Sequence, residues 1–276
     1  MGVKNICIAM LCATTMYGCG QGEKSSNIQG ASKEEIKAVS EYRDSGKWGK
    51  AVRRLYDAGE FDAFQAEGHV DVVFRQADKC SVKTIGHAEA IEQYEIRVEN
   101  KKTLVVGLKE NANERYDNIP AITLLITAPT LRCAMVSGGD VEMKGELVQD
   151  DSLTVYVRGD GDVYAKHIRA GALDIEISGN GDVDIRKATI KGNVRATVNG
   201  DGGIEGKLKC DNAFIEVNGS GSVDMDVKCN DLTAWCNGRG EIELKGKCRT
   251  LRKRKGAGGR IDSHNLTVEK EILLDK

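Results

Sequence analysis

From Phe61 onward, apolar and polar residues alternate with a period of two, the mark of half-buried strands. Val70, Val72 and Phe74 alternate with His69, Asp71 and Val73. Tyr94, Ile96 and Val98 alternate with Glu95 and Arg97, and Leu104, Val106 and Leu108 continue the pattern beyond a turn at Asn100, Lys101 and Lys102. Ile122, Leu124 and Ile126 repeat it before Ala128 and Pro129. Upstream the pattern differs. Ser32 and Glu35 form a capping box, and Ile36, Val39 and Tyr42 fall on one face of a short helix, which Gly46 and Gly49 would end.

A Gly-x-Gly step then recurs, beginning at Gly159, Gly179, Gly200, Gly219, Gly238 and Gly256, at spacings of 20, 21, 19, 19 and 19 residues. A partial copy at Gly138, Gly139 and Asp140 precedes them, its Val141 lying 22 residues before Val163. Two residues before each step stand Val157, Ile177, Val198, Val217 and Cys236, and two further back Val155, Ile175, Ala196, Ile215 and Ala234. After the step come the pairs Val163/Ala165, Val183/Ile185, Ile204/Gly206, Val223/Met225 and Ile242/Leu244. A repeat near 20 residues with internal alternation predicts a solenoid, each repeat one coil, with like residues stacked over like at ~4.8 Å. The glycines are expected to supply φ > 0 at the corners. The absence of a helical half-repeat disfavours a leucine-rich repeat, and the much shorter period of a calcium-binding nonapeptide roll disfavours that fold as well. The predicted fold is all-β, a right-handed single-stranded parallel β-helix with ~20-residue coils.

The first residues read as a targeting segment. Lys4 is followed by a short apolar stretch over residues 6–17, too short to span a bilayer, then Gly18 and Cys19. A cysteine after a small residue at this place resembles the bacterial lipoprotein cleavage box, although Met16 and Tyr17 are an unusual lead-in. The expected organisation is a signal peptide at 1–19 with Cys19 as the lipidation site, a linker with a short helix at 20–57, and the β-helical domain at 58–276. Beyond Cys7, Cys12 and Cys19, six cysteines remain: Cys80, Cys133, Cys210, Cys229, Cys236 and Cys248. An even count in an exported chain invites disulfides. Cys210, Cys229 and Cys248, however, lie 19 apart and are expected to stack inside the coil as small buried thiols. Ligands in one column do not make the tetrahedron that zinc needs.

Composition adds limits. Lys and Arg number 40 against 42 Asp and Glu, which argues against bulk nucleic acid as a partner. Thirty-two glycines against 2 prolines suit regular turns better than disorder. Asp160, Asp162 and Asp182, beside Asn180, are the residues whose oxygens could hold Ca²⁺. The same residue types are what tight turns select on backbone grounds, and the column runs on as Asp201, Ser220 and Arg239, so turn chemistry is the preferred reading. Arg249, Arg252, Lys253, Arg254 and Lys255 form the one dense basic run, expected to polarise the last coil and block end-to-end stacking. His69, His87, His167 and His264 show no partner spacing, and no nucleophile elbow is present.

The run from Ile122 through Thr127, Ala128 and Pro129 to Leu131, then Val136, Ser137, Gly138, Gly139, Asp140 and Val141, resembles the GIN-type auto-transporter adhesin head domain. Phe61 to Phe64 leading into Gly68, His69, Val70, Asp71 and Val72 matches that family's opening. The similarity covers about residues 58–268, and the chain departs from it where Arg249 to Lys255 replace the alternating strand. The resemblance implies a β-helical lipoprotein of the bacterial envelope, common in Bacteroidetes-like bacteria, with no catalytic residues or cofactors to carry over. The expected function is a non-enzymatic envelope protein with a binding or adhesin role, its partner a glycan or a surface protein and its membrane link a lipid anchor. The competing classes are a polysaccharide-acting β-helix enzyme and a periplasmic scaffold.

Overall fold

The computed structural model describes residues 48–100, 102–112 and 118–274. Cys19, the tether and the helix expected from Ser32 to Tyr42 lie outside the described residues. Nineteen strands join one continuous hydrogen-bonded system, with one short helix, α1 (Ala88–Glu92), on the described part.

The coils are parallel and in register. One sheet stacks β8 (Cys133–Val136), β10 (Ser152–Val157), β12 (Ala172–Ile177), β14 (Asn193–Val198) and β16 (Asn212–Val217), followed by the second halves of β17 (Ser222–Cys236) and β18 (Glu241–Lys255). The other stacks β9 (Val141–Val148), β11 (Val163–Ala170), β13 (Val183–Ile190), β15 (Gly203–Lys209) and the first halves of β17, β18 and β19 (Arg260–Leu273). The inward columns read from the sequence are the core: Val155, Ile175, Ala196, Ile215 and Ala234 have no exposed surface, nor have Val157, Ile177, Val198, Val217 and Cys236. Each coil buries its apolar edge only against its neighbours, so the stack is the folding unit.

The Gly-x-Gly glycines do not sit at positive φ, contrary to the expectation. Positive φ among glycines occurs at Gly49, Gly59, Gly68, Gly145 and Gly246. The Gly-x-Gly positions need glycine for a different reason. A Cβ on Gly179 would collide with the Gly159 carbonyl, one on Gly200 with that of Gly179, and one on Gly219 with that of Gly200. The turns stack backbone on backbone, Gly181 N–H donating to Gly159 O at 3.0 Å, and no side chain fits between.

The first coils are not stacked in chain order. β2 (Ala63–Ala66) lies between β6 (Thr103–Leu108) and β8, and β3 (Val70–Gln76) between β7 (Ile122–Ala128) and β9. The chain makes one coil, descends to build the end coil beneath it, and returns to climb the stack. The excursion also closes that end: β4 (Ser81–His87) runs antiparallel to β7, β1 (Ala51–Tyr56) antiparallel to β4, and β5 (Tyr94–Glu99) antiparallel to β6. Strand β1 falls inside the stretch expected as linker, because its partner β4 comes from a segment that periodicity alone does not tie to it.

The basic run is also strand, which corrects the expected break in the last coil. Residues 249–255 continue β18, paired in register with β17. Lys253 occupies the inward column of Val155 and Ala234, its side chain 18% exposed, and its Nζ lies 2.7 Å from Glu271 and 3.1 Å from Ser263 Oγ. Glu271 itself stands in the inward column of Leu232 and Leu251.

Candidate binding face

Once the inward columns are fixed, alternation hands the residues between them to solvent. On the sheet that ends each coil, one outward column reads Cys133, Thr154, Asp174, Arg195, Phe214, Thr233 and Arg252. The next reads Met135, Tyr156, Glu176, Thr197, Glu216, Trp235 and Arg254. A third carries Ser152, Ala172, Asn193, Asn212, Asp231 and Thr250. A trough of about 710 Å³ runs along this face from Ser152 to Arg252.

The side chains of this face are locked to one another across coils. Phe214 and Trp235 meet edge to face with centroids 4.8 Å apart, Arg195 lies over Phe214 at 5.3 Å, and Arg254 over Trp235 at 3.7 Å. Asn212 donates to Asn193 Oδ1 at 2.9 Å, and beside the turn Asn237 donates to Asn218 and Asn218 to Asn199 in an amide ladder. Arg249 and Arg252 both reach Asp231, each at 3.2 Å, and hold its carboxyl below the usual carboxylate range, Arg252 foremost. The basic run is thereby spent largely on inter-coil contacts. Asp174 is different: burial raises its pKa, Arg195 opposes the rise and Glu176 adds to it. Tyr156 is raised by burial and by Asp174 and Glu176. The indole Nε1 of Trp235 is buried and meets no acceptor among the described residues.

The opposite sheet shows an acidic outward column of Glu142, Asp184, Glu205, Asp224, Glu243 and Asp262, broken by Tyr164. Lysine and arginine answer it. Lys245 bridges Asp224 and Glu243 at 3.2 and 3.1 Å, and Arg260 reaches Asp262 at 3.1 Å. The column is compensated only in part: burial and then Glu205 raise the Asp184 carboxyl, which Arg186 opposes.

The residues singled out from sequence fall elsewhere. Asp162 Oδ1 accepts the Asp182 N–H at 2.9 Å, Asp182 Oδ1 accepts the Gly203 N–H at 2.6 Å, and Asp160 Oδ1 accepts from the Asn180 side-chain amide at 2.8 Å. Asp140 does the same for Asp162, and Asp71 for Asp140, so these carboxylates form a staircase that fastens one turn to the next. No group of three His, Cys, Asp or Glu among the described residues is arranged to hold a metal. Cys210, Cys229 and Cys248 stack as expected, in the inward column that Ala170 and Ile190 begin, and all six described cysteines are free thiols. Hydrogen bonding to Cys210, with burial behind it, pushes the Cys229 thiol up to about 12. The histidines are scattered: His87 Nδ1 lies 2.9 Å from the Gly49 carbonyl, and His264 pairs with Asp262 at 2.7 Å. Sequence reading missed the aromatic and guanidinium ladder because it followed the inward columns; the residues one place along each repeat carried the signal.

Comparison with known proteins places the architecture. The family model described as "Putative auto-transporter adhesin, head GIN domain" matches residues 60–223 and 202–272. A "putative adhesin" from Parabacteroides distasonis superposes with a TM-score of 0.66 at 17% identity, over 81% of this chain and 98% of that one. A "putative adhesin" from Parabacteroides merdae gives 0.61 at 15%, over 84% and 98%. A "putative lipid binding protein" from Parabacteroides distasonis gives 0.57 at 14%, over 81% and 97%. At these identities the likeness is one of fold. No curated protein matches.

Proposed function

Since the chain belongs to the GIN head-domain family, we propose that it is a non-enzymatic binding protein of the bacterial cell envelope that presents the Phe214–Trp235 face to a macromolecular ligand. The observation that carries this reading is the face itself. Seven strands in register hold aromatic, guanidinium, amide and carboxylate groups on one rigid surface, whereas the opposite sheet carries an acidic column broken by Tyr164. Such a surface is pre-organised, so a ligand bound there loses little to ordering the protein. A lipid on Cys19 would tether the stack to a membrane by residues that precede β1.

Lysine labelling of intact cells with a membrane-impermeant reagent tests the reading, with a periplasmic protein as control. Labelling equal to a surface marker supports an adhesin, and protection equal to the periplasmic control sinks it. A polysaccharide-cleaving enzyme is the second reading, and Asp174 is the observation in its favour: a half-buried carboxyl of raised pKa beside Arg195 and Tyr156. Coils of 19 to 22 residues leave no projecting loops to build a cleft over it. Release of reducing ends or unsaturated sugars from a polysaccharide would establish that reading instead.

A further inference from the structure

We propose that the trough from β10 to β18 takes a neutral, hydroxyl-rich glycan chain lying along the stack axis; this rests on the binding face described above. Three observations converge on that ligand. The first is periodicity. Outward positions, though filled by different residue types, repeat at the coil spacing of ~4.8 Å, and six strands span about 24 Å. A polymer with a short, regular repeat can offer the same group to successive coils, whereas a folded protein surface cannot follow so narrow a period over that length.

The second is charge. The trough holds Asp174 and Asp231 against Arg195 and Arg252, a balance that favours neither an anionic nor a cationic polymer. Asp231 is already held by two arginines, and the rest of the lining is half apolar and half hydroxyl and amide, the polar half led by Thr154, Asn193, Asn212 and Thr233. Side chains of these types donate to and accept from sugar hydroxyls without needing charge on the ligand.

The third is the pairing of an apolar surface with a half-buried acceptor. Phe214 stands in the middle of the trough, where the C–H face of a sugar ring can pack on it. Two coils away in the same column, Asp174 is half-buried with Arg195 beside it, and its carboxylate faces the trough. Sugar hydroxyls can donate to that carboxylate from the trough.

The test is titration of the full-length chain, purified in detergent, with neutral oligosaccharides of two to eight sugars and with uronic-acid oligomers of equal length. Affinity should rise with length to about five sugars and then level, and it should change little between 50 and 500 mM salt. Asp174→Asn and Phe214→Ala should each weaken binding at least tenfold, and Glu205→Gln on the opposite sheet should not. Asp174→Asn is isosteric and outward-facing, so it keeps the test decisive if Phe214→Ala melts early. Binding confined to uronic-acid oligomers with steep salt dependence would overturn the proposal. So would neutral-glycan binding unaffected by both variants. If no glycan binds at all, yet cells or envelope extracts capture the protein through a contact that Phe214→Ala abolishes, the ligand class is wrong and the binding face stands.

Discussion

Gly200 contributes nothing to the core, yet a methyl group there would drive into the Gly179 carbonyl one coil below. Gly59, with φ at 69° and open space around it, is glycine for a purely conformational reason. The two predict different costs. Gly59→Ala should cost about 1 kcal/mol, the usual penalty for a left-handed residue, whereas Gly200→Ala forces two turns apart and should cost about 3 kcal/mol. Thermal melts of the two variants check the order, and equal costs would mean that the turns can separate freely. The thiol column makes a second residue-scale prediction. Hydrogen bonding to Cys210 and burial raise the Cys229 thiol to about 12, and hydrogen bonding to Cys229 and burial raise that of Cys248, both above the ~8.5 of an unfolded thiol; the bond with Cys229 lowers Cys210, which offsets part of the effect. A pKa higher in the folded state means the contribution is complete below about pH 8.5 and is lost as pH climbs toward 12. Melting temperature should therefore fall over that window, and fall less steeply in Cys229→Ala.

At the scale of the element, the ends of the solenoid are where the sequence was least transparent. The repeating coils were legible because each inward column recurs at a fixed period, and Val155 through Ala234 are buried as the pattern requires. Strand β1, the descent of β6 and β7 beneath β2 and β3, and helix α1 were not, because each depends on contacts outside the repeat. The aromatic and guanidinium face was present in the sequence one place out of phase with the columns that were followed. The basic run was seen but misread as a break, since Lys253 keeps the strand alternation while violating its polarity. Its structural sense is that of a stopper: Lys253, Glu271 and Ser263 fill the open end of the core with a bonded polar group in place of a bare apolar column. Lys253→Leu alone should change stability by no more than about 1 kcal/mol, because Glu271, its side chain 45% exposed, keeps its charge in water. Lys253→Leu with Glu271→Leu should restore the column and expose it, beside a Leu273 already 73% exposed, so that molecules associate end to end. Light scattering after size exclusion would show dimers or larger species in the double variant, and a monomer would show that the free edge of β19 is protected by something other than the charged pair.

For the molecule as a whole, the stacking order makes the two ends unequal in what they support. A solenoid's stability is close to a sum of coil and nearest-neighbour interface contributions, so removing the last coil removes one interface. Deleting residues 260–276 takes away β19 and leaves β18 as the edge, with Arg249, Arg252 and Arg254 on its outer side. That edge is charged, but the deletion also bares Ile242, Leu244 and Leu251 and leaves Lys253 without Glu271, so the shortened chain should remain folded with a markedly lower melting temperature. The opposite end has no such reserve. Beginning the chain at residue 131 removes β2 and β3, which pair with β8 and β9, and with them Phe64 and Phe74, whose rings stack at 6.5 Å as the plug of the first coils. It would leave Ala134, Val136, Val141 and Met143 on a bare, parallel, apolar edge, the arrangement that promotes aggregation. The cap cannot be traded for a later coil, because β2 is held on both sides, by β6 from below and β8 from above, and both contacts are lost together. Circular dichroism melts and sedimentation of the two truncations decide the matter. A soluble, cooperative N-terminal truncation would show that the coils from β8 onward fold without their plug, and that the excursion of residues 81–128 serves the ligand or the membrane rather than the fold.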